Sequence, residues 1–501
     1  MPYGVSIRDT VYGMSDTAYG NASVPARAPT FTPALIRLSA VVILGVTMTI
    51  LDTTIVNVAI RTLGRDFHAS VATIQWVATA YLLALSLVIP LSGWAVERFG
   101  VRRLWFGSLI LFIAGSVLSG AAWSAGSLIA FRILQGAAAG MMMPVGQTML
   151  ARAAGPTRMG RVMSVIAVPA LLGPVLGPVI GGAIIDGLSW RWIFYVNVPV
   201  GVVALLAAWR WLGRDDSERS DTPIDRVGIA LLSPGLAAFV YGLSEAGNVG
   251  FGAPRVLVAT IGGAALIAAF VVHALRSRHP LLDVRLFADR TFAAAAGTTF
   301  ALVATLFAAM FLFPLYEQAV RGASALDAGL LLAPQGLAAM VAMPIGGRLG
   351  DIFGPRLLVL SGLAFAAIST VPFTQLDAGT SQTLLALSGI PRGIGMGLAF
   401  PSLLGASYRT LTHAAIPRAS TTINIFQRLG GAVGTAIFAV ILQQGLDAGK
   451  GAAAFAGTFW WVLGLSVLTM IPALLLPSGP APAQDAARDP AAEPEPEPVA
   501  A

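Results

Sequence analysis

The chain has 501 residues, of which 31 are basic and 24 acidic, while 56% belong to the hydrophobic class and the mean hydropathy is +0.78. Charged residues make up 11%, under half the roughly 25% of an ordinary soluble domain, too few to clothe a water-soluble surface at this length. A soluble multidomain enzyme is therefore excluded, and an all-α polytopic membrane protein is expected. There is no cysteine, and the four histidines (His68, His273, His279, His413) lack metal-ligand spacing, so neither a metal nor a catalytic cluster is expected.

Residues 1–32 are polar, lack the features of a signal peptide and read as a disordered tail. The first apolar run, near 36–60, carries Asp52 and Asn57 in the stretch LDTTIVNVA (51–59). Asp52 is the one acid well inside any apolar run, and an acid at that depth is costly when charged, which suits it to carrying a proton. A second run, near 71–92, ends in a polar break with Gly93, Glu97, Arg98, Gly100 and Arg102. Runs near 104–122 and 126–150 follow, the latter with Arg132 and Gln135 in RILQGAAAG (132–140). Arg132 is the plausible cation for Asp52, and the small residues beside it let a neighbouring helix approach. Two readings stay open: a proton-coupling site, or a static pair that locks two helices.

The fifth run, near 162–186, contains Gly173, Pro174, Gly177, Pro178, Gly181 and Gly182, with Pro169 just before them. Such a helix reads either as a bending gate or as a Gly/Pro-rich packing helix. A sixth run near 192–212 completes an N-terminal bundle over 33–212, and two more near 226–244 and 256–276 lie within 213–290. Six further runs, near 291–315, 326–347, 357–376, 383–406, 419–443 and 455–477, make a C-terminal bundle over 291–477. The break after the tenth run, with Gly347, Asp351, Gly354 and Arg356, repeats the one after the second at an offset of 254 residues (351 − 97). In both breaks the acid has a nearby arginine or helix end to pair with, and that pairing would hold one face closed.

Glu245 and Glu317 lie near outer helix ends, where either a role with ligand or proton or a plain solvated charge fits. Gln335, Arg392, Asn424, Gln427 and Arg428 either line a cavity or bond between helices. Residues 478–501 are rich in Pro, Ala and Glu and read as a second disordered tail. With fourteen spans and both tails in the cytoplasm, 22 basic residues face inward and six outward, as the positive-inside rule asks.

Together LDTTIVNVA, the 93–103 break, Arg132 with Gln135-Gly136, GPVLGPVIGG (173–182) and SWRWIFYVNVPVG (189–201) resemble the 14-span drug:proton antiporter family, EmrB/QacA type, of the major facilitator superfamily. The likeness covers roughly residues 36–476. It implies the major facilitator fold: two six-helix pseudo-repeat bundles plus two extra central helices, fourteen transmembrane helices in all. It further implies a multi-pass inner-membrane exporter of lipophilic compounds, driven by the proton gradient without a cofactor. By the same resemblance Asp52 is the coupling acid, Arg132 the fourth-span arginine and the GPxxGP element the antiporter motif.

The sequence departs from the family pattern in places. Glu97 replaces a usual Asp, and Ala95 and Val101 replace a usual Leu and a basic residue. Spans 11 to 14 hold no acid, which favours monocationic or neutral substrates over dications. Glu317 stands where the family has an apolar residue, so it is a candidate for individual specificity. The short 444–454 connection lacks the outer insertion of relatives that dock a periplasmic adaptor, so a stand-alone pump is expected rather than a tripartite one; a monomer is the expectation for the oligomeric state, which the sequence does not fix. The expected partners are protons, lipophilic small molecules and the bilayer, not nucleic acid. Alternatives are a proton-coupled exporter or importer of one metabolite on the same fold, and a polytopic receptor or lipid-modifying enzyme.

Overall fold

The computed structural model describes residues 32–154, 159–213, 223–323, 325–377 and 379–479, so the two expected tails lie almost wholly outside the described residues. Fourteen long helices occur where the apolar runs predict them, and no strand occurs among the described residues. The first six are α1 (Pro33–Asp66), α2 (Val71–Val88), α3 (Val101–Gly120), α4 (Ala125–Ala154), α5 (Met159–Gly187) and α6 (Asn197–Trp211). The two central ones are α7 (Arg226–Val249) and α8 (Pro254–Arg276). The last six are α9 (Arg290–Arg321), α10 (Ala333–Phe353), α11 (Pro355–Thr370), α12 (Gln382–Tyr408), α13 (Ile416–Asp447) and α14 (Ala452–Leu468). Thirteen helical segments are long and apolar enough to cross a membrane over their described residues. The remaining helix, α5, has many side chains outside that description, but its 29 residues give ~43 Å of helix, which exceeds a bilayer core.

Local chemistry starts several of these helices. Thr32, Ser70 and Ser381 cap α1, α2 and α12 by accepting from backbone N–H groups three residues on, and Asp225 and Asp289 do the same for α7 and α9. Pro33 stands in the first turn of α1, where its missing N–H costs nothing.

The repeated breaks differ from expectation in one respect. They are not loops over most of their length: α2 passes through a 3-10 turn at Ile89–Leu91 into a further helix, Ser92–Phe99, and Gly347–Phe353 is the end of α10. Polar side chains reaching the bilayer surface do not break a helix. What breaks it is Gly100 and Gly354, with φ of 85° and 87°, after which α3 and α11 begin at once. The two turns are the same turn, 254 residues apart (354 − 100).

Within the N-terminal bundle α2 packs on α4, α3 on α4 and α1 on α5; α10 on α12, α11 on α12 and α9 on α13 repeat this in the C-terminal bundle. Small residues set the spacing. A Cβ on Gly140 would sit 2.6 Å from the Leu85 carbonyl, and one on Gly136 would strike the Tyr81 carbonyl. Gly140→Val is therefore expected to force α2 from α4 at a cost of about 1–3 kcal/mol, read as a lower Tm of the purified protein; an unchanged Tm would contradict this packing. The central α7 touches both α2 and α13, so the extra pair lies along the junction of the two bundles. Trp76 of α2 stacks on Tyr241 of α7 at 6.0 Å between centroids.

Candidate functional site

Asp52 and Arg132 meet inside the N-terminal bundle, each 1% exposed, with Arg132 Nη1 donating to Asp52 Oδ2 at 2.5 Å. The other carboxylate oxygen, Oδ1, accepts from Gln135 Nε2 at 2.9 Å and from Asn197 Nδ2 at 3.1 Å. Arg132 also donates to Gln135 Oε1 at 2.8 Å and, through Nε, to the Val77 carbonyl at 3.2 Å. Its guanidinium carbon lies 4.0 Å from the centre of the Tyr81 ring, a cation–π contact. Asn197 in turn donates to Ser116 Oγ at 3.1 Å. One acid thus holds donors from α4 and α6, and α2 and α3 support them from behind.

The antiporter-motif glycines sit against α1 beside this acid. Gly173, Gly177 and Gly181 share one face of α5, and a Cβ on them would meet Ile50, Thr54 and Ile55. Thr54 Oγ1 donates to the Gly173 carbonyl at 3.2 Å. Gly182 faces open space, and the side chains of Pro174 and Pro178, like that of Asn57, lie outside the described residues.

At the end of the bundles that carries both termini of the described chain, here called the terminal face, each repeated acid reaches across to the other bundle. Glu97 accepts from Arg418 of α13 at both carboxylate oxygens, 2.9 Å each. Asp351 accepts from the Gly160 N–H at 3.1 Å, at the start of α5, and lies 3.9 Å from Arg161 Nε. The two arginines are themselves 257 residues apart (418 − 161), so the two junctions are copies of one another. The glycines allow the approach: a Cβ on Gly93 would come within 3.1 Å of Thr421 Oγ1, and one on Gly347 within 2.6 Å of the Gly160 carbonyl. Arg102 lies 5.7 Å from the Phe106 ring centre, and Arg356 Nε donates to the Leu476 carbonyl at 2.7 Å. Arg98 is exposed near the same turn.

The remaining polar candidates separate. Asn424 is buried and donates to Gln147 Oε1 at 2.7 Å, an oxygen that also accepts from Tyr408 at 3.1 Å and Ser420 at 3.2 Å. It therefore bonds between bundles rather than standing free in a cavity. Gln427 is partly exposed, with Nε2 buried and unpartnered, and Arg428 is exposed on the same helix. Glu245 pairs with Arg255 at 2.5 Å in a bridge whose arginine is exposed and whose acid is partly buried. Glu317, where a solvated charge was one reading, is instead 0% exposed: Gln382 donates to Oε2 at 3.3 Å, and Arg321 stands 3.8 Å from Oε1. The α9 helix runs six residues (321 − 315), nearly two turns, beyond the predicted run, which places Glu317 inside the helix rather than at its end.

Sequence reasoning did not single out Asn197, Tyr81, Gln147, Arg161 or Arg418. Tyr81 and Gln147 are lone polar groups in apolar runs with nothing local to mark them, whereas Asn197 lies within SWRWIFYVNVPVG (189–201), one of the stretches that carry the family resemblance. Arg161 and Arg418 were legible: the interval between them nearly matches that of the repeated acids.

The chain belongs to the major facilitator superfamily, which it matches over residues 42–435 and again over 295–500. Within that superfamily it is an EmrB/QacA-type transporter, not an enzyme. It is 43% identical over 427 residues to the multidrug resistance protein B homolog of Mycobacterium tuberculosis, covering 84% of this chain and 78% of the relative. With the multidrug export protein EmrB of Haemophilus influenzae it shares 33% identity over 407 residues, 81% of this chain and 80% of that one. Among solved structures the human organic anion transporter MFSD10 superposes with a TM-score of 0.65 at 16% identity, over 88% of this chain and all of the other, which speaks to the fold alone.

Proposed function

We propose that this chain is a proton-coupled multidrug efflux antiporter that exports lipophilic, monocationic or neutral compounds by alternating access. The observation that carries the coupling is the buried Asp52, whose cationic neighbour has other partners to fall back on. Export of drugs draws on the relatives named for multidrug resistance and multidrug export. The excess of basic residues on one side supports an orientation with the terminal face in the cytoplasm, as for an inner-membrane exporter. On that orientation, the Glu97–Arg418 and Asp351–Arg161 junctions close the cytoplasmic side. The brief connection between α13 and α14, residues 448–451, supports a stand-alone pump without a periplasmic adaptor. The proton gradient supplies the energy and no cofactor takes part.

The test is purified protein in proteoliposomes under an imposed proton gradient, with a drug-susceptibility panel in a pump-deficient host to find substrates. Gradient-driven drug movement with counterflow of protons is expected. Drug movement indifferent to the gradient would overturn the coupling, and no drug movement across the panel would favour a dedicated metabolite carrier. Glu317, the one buried acid in the C-terminal bundle among the described residues, is the candidate for substrate charge selection. Glu317→Gln is expected to raise KM several-fold for a monocationic substrate and to leave a neutral one unchanged; equal effects on both would remove it from that role.

A further inference from the structure

Arg392 of α12 is a buried cation without a counter-ion. It is 4% exposed, Nη1 donates to Thr370 Oγ1 at 3.2 Å and Nη2 to the Thr305 carbonyl at 3.1 Å. Its Nε is buried without a hydrogen-bond partner, and no acid pairs with it among the described residues. The side chain borders a small cavity lined also by Ala309, Phe313, Gln335, Phe373 and Gly389. That cavity has room for a species of about the size of a water molecule.

The internal repeat explains how this cation came to be alone. The carbonyl of Tyr81 is what a Cβ on Gly136 would strike, and the carbonyl of Gln335 is what a Cβ on Gly393 would strike. These pairs align at 254 and 257 residues (335 − 81, 393 − 136), and the same intervals carry Ser116 to Thr370, Arg132 to Gly389 and Gln135 to Arg392. Arg392 therefore occupies the place in the C-terminal bundle that Gln135 occupies beside Asp52. The N-terminal copy holds an acid among cationic and amide donors. In the C-terminal copy a guanidinium replaces the amide, a glycine replaces the arginine, and α9 offers Ala309 and Phe313. Its next acid, Glu317, lies eight residues beyond Ala309 (317 − 309), about 12 Å along the helix.

We propose that this cavity is a binding site for a small monovalent anion, held by Arg392 Nε and supplying the negative charge that Asp52 supplies in the other half. A lone guanidinium in a low-dielectric interior demands a counter-charge, and the cavity size fits a halide. The site does not depend on the direction or coupling of transport.

The test is thermal unfolding of the purified full-length protein, titrated with sodium bromide, chloride or acetate against gluconate at constant ionic strength. A saturable rise in Tm is expected for the wild type with a halide, absent in Arg392→Gln. Ala309→Asp, which builds a carboxylate into the cavity, is expected to abolish the anion response while the protein stays monodisperse; it keeps the proposal testable if Arg392→Gln fails to fold. Acetate, too large for the cavity, is expected to give no saturable response; an acetate response equal to the halide's would overturn the assignment of the cavity. A bromide anomalous peak beside Nε would place the ion directly. Equal anion responses in the wild type and Ala309→Asp, or no saturable response in the wild type, would overturn the proposal.

Discussion

Asp52→Asn is expected to reduce gradient-driven transport in proteoliposomes by at least about 100-fold while the protein still reaches the membrane. The substitution keeps the shape of the side chain and removes the one deep acid of the N-terminal bundle, so the loss falls on proton exchange rather than on packing. The surroundings suit a reversible site better than a fixed one. When Asp52 takes up a proton, Arg132 keeps the Val77 carbonyl, Gln135 Oε1 and the Tyr81 face, so the cation is not stranded. Gln135 and Asn197 lose nothing, because a protonated carboxyl still accepts at its carbonyl oxygen. A pair without such alternatives would cost about 3–5 kcal/mol to break from one side. Arg132→Gln should be worse for folding than Asp52→Asn, since it strands an anion whose remaining donors are two amides. The measurements are drug flux, proton flux and Tm of each variant. Full gradient-driven transport by Asp52→Asn would remove Asp52 from the coupling step.

Charge reversal at Glu97 carries the second large effect. Arg418 spans both carboxylate oxygens of Glu97, so Glu97→Arg sets two guanidinium groups against one another at the junction of the bundles. Because the chain has no cysteine, a single Thr421→Cys provides a clean probe: Thr421 is fully buried and shares a hydrogen bond with Ser92 at 2.8 Å. In an otherwise wild-type background that thiol should label slowly. Glu97→Arg is expected to raise its labelling rate at least about tenfold, which corresponds to 1.4 kcal/mol of lost closure. Restoring the pair in reverse order, Glu97→Arg with Arg418→Glu, should slow labelling again. Identical labelling in all three backgrounds would show that this pair does not hold the bundles together.

Much of this architecture was legible in the residues. Apolar run length located the fourteen helices, because a bilayer dictates both the length and the polarity of whatever crosses it. The duplication showed in Gly93–Arg102 and Gly347–Arg356, since a conformation with positive φ leaves little choice but glycine at 100 and 354. Asp52 and Arg132 stood out through scarcity alone. What did not show was partnership between distant helices. Nothing in the neighbourhood of Asn197 says that it turns to Asp52, and nothing near Gln147 says that three donors from the other bundle converge on it. Glu317 kept two readings for a related reason: proximity to a helix end suggests water, and only the lateral packing of α9 against the start of α12 shows that it is buried.

The seam between the bundles at the terminal face joins glycine contacts, two acid–arginine pairs and a few hydroxyl and amide bonds to an apolar cluster that includes Leu150, Met159, Leu404, Tyr408 and Ile416. Water replaces each polar bond as it parts. Partly exposed ion pairs contribute about 0.2–1 kcal/mol each, whereas one proton moving down a membrane potential releases about 2.3 kcal/mol per 100 mV. The two scales are comparable for the ion pairs, so the polar part of the seam yields at the energy of one proton while the apolar cluster carries the remaining closure.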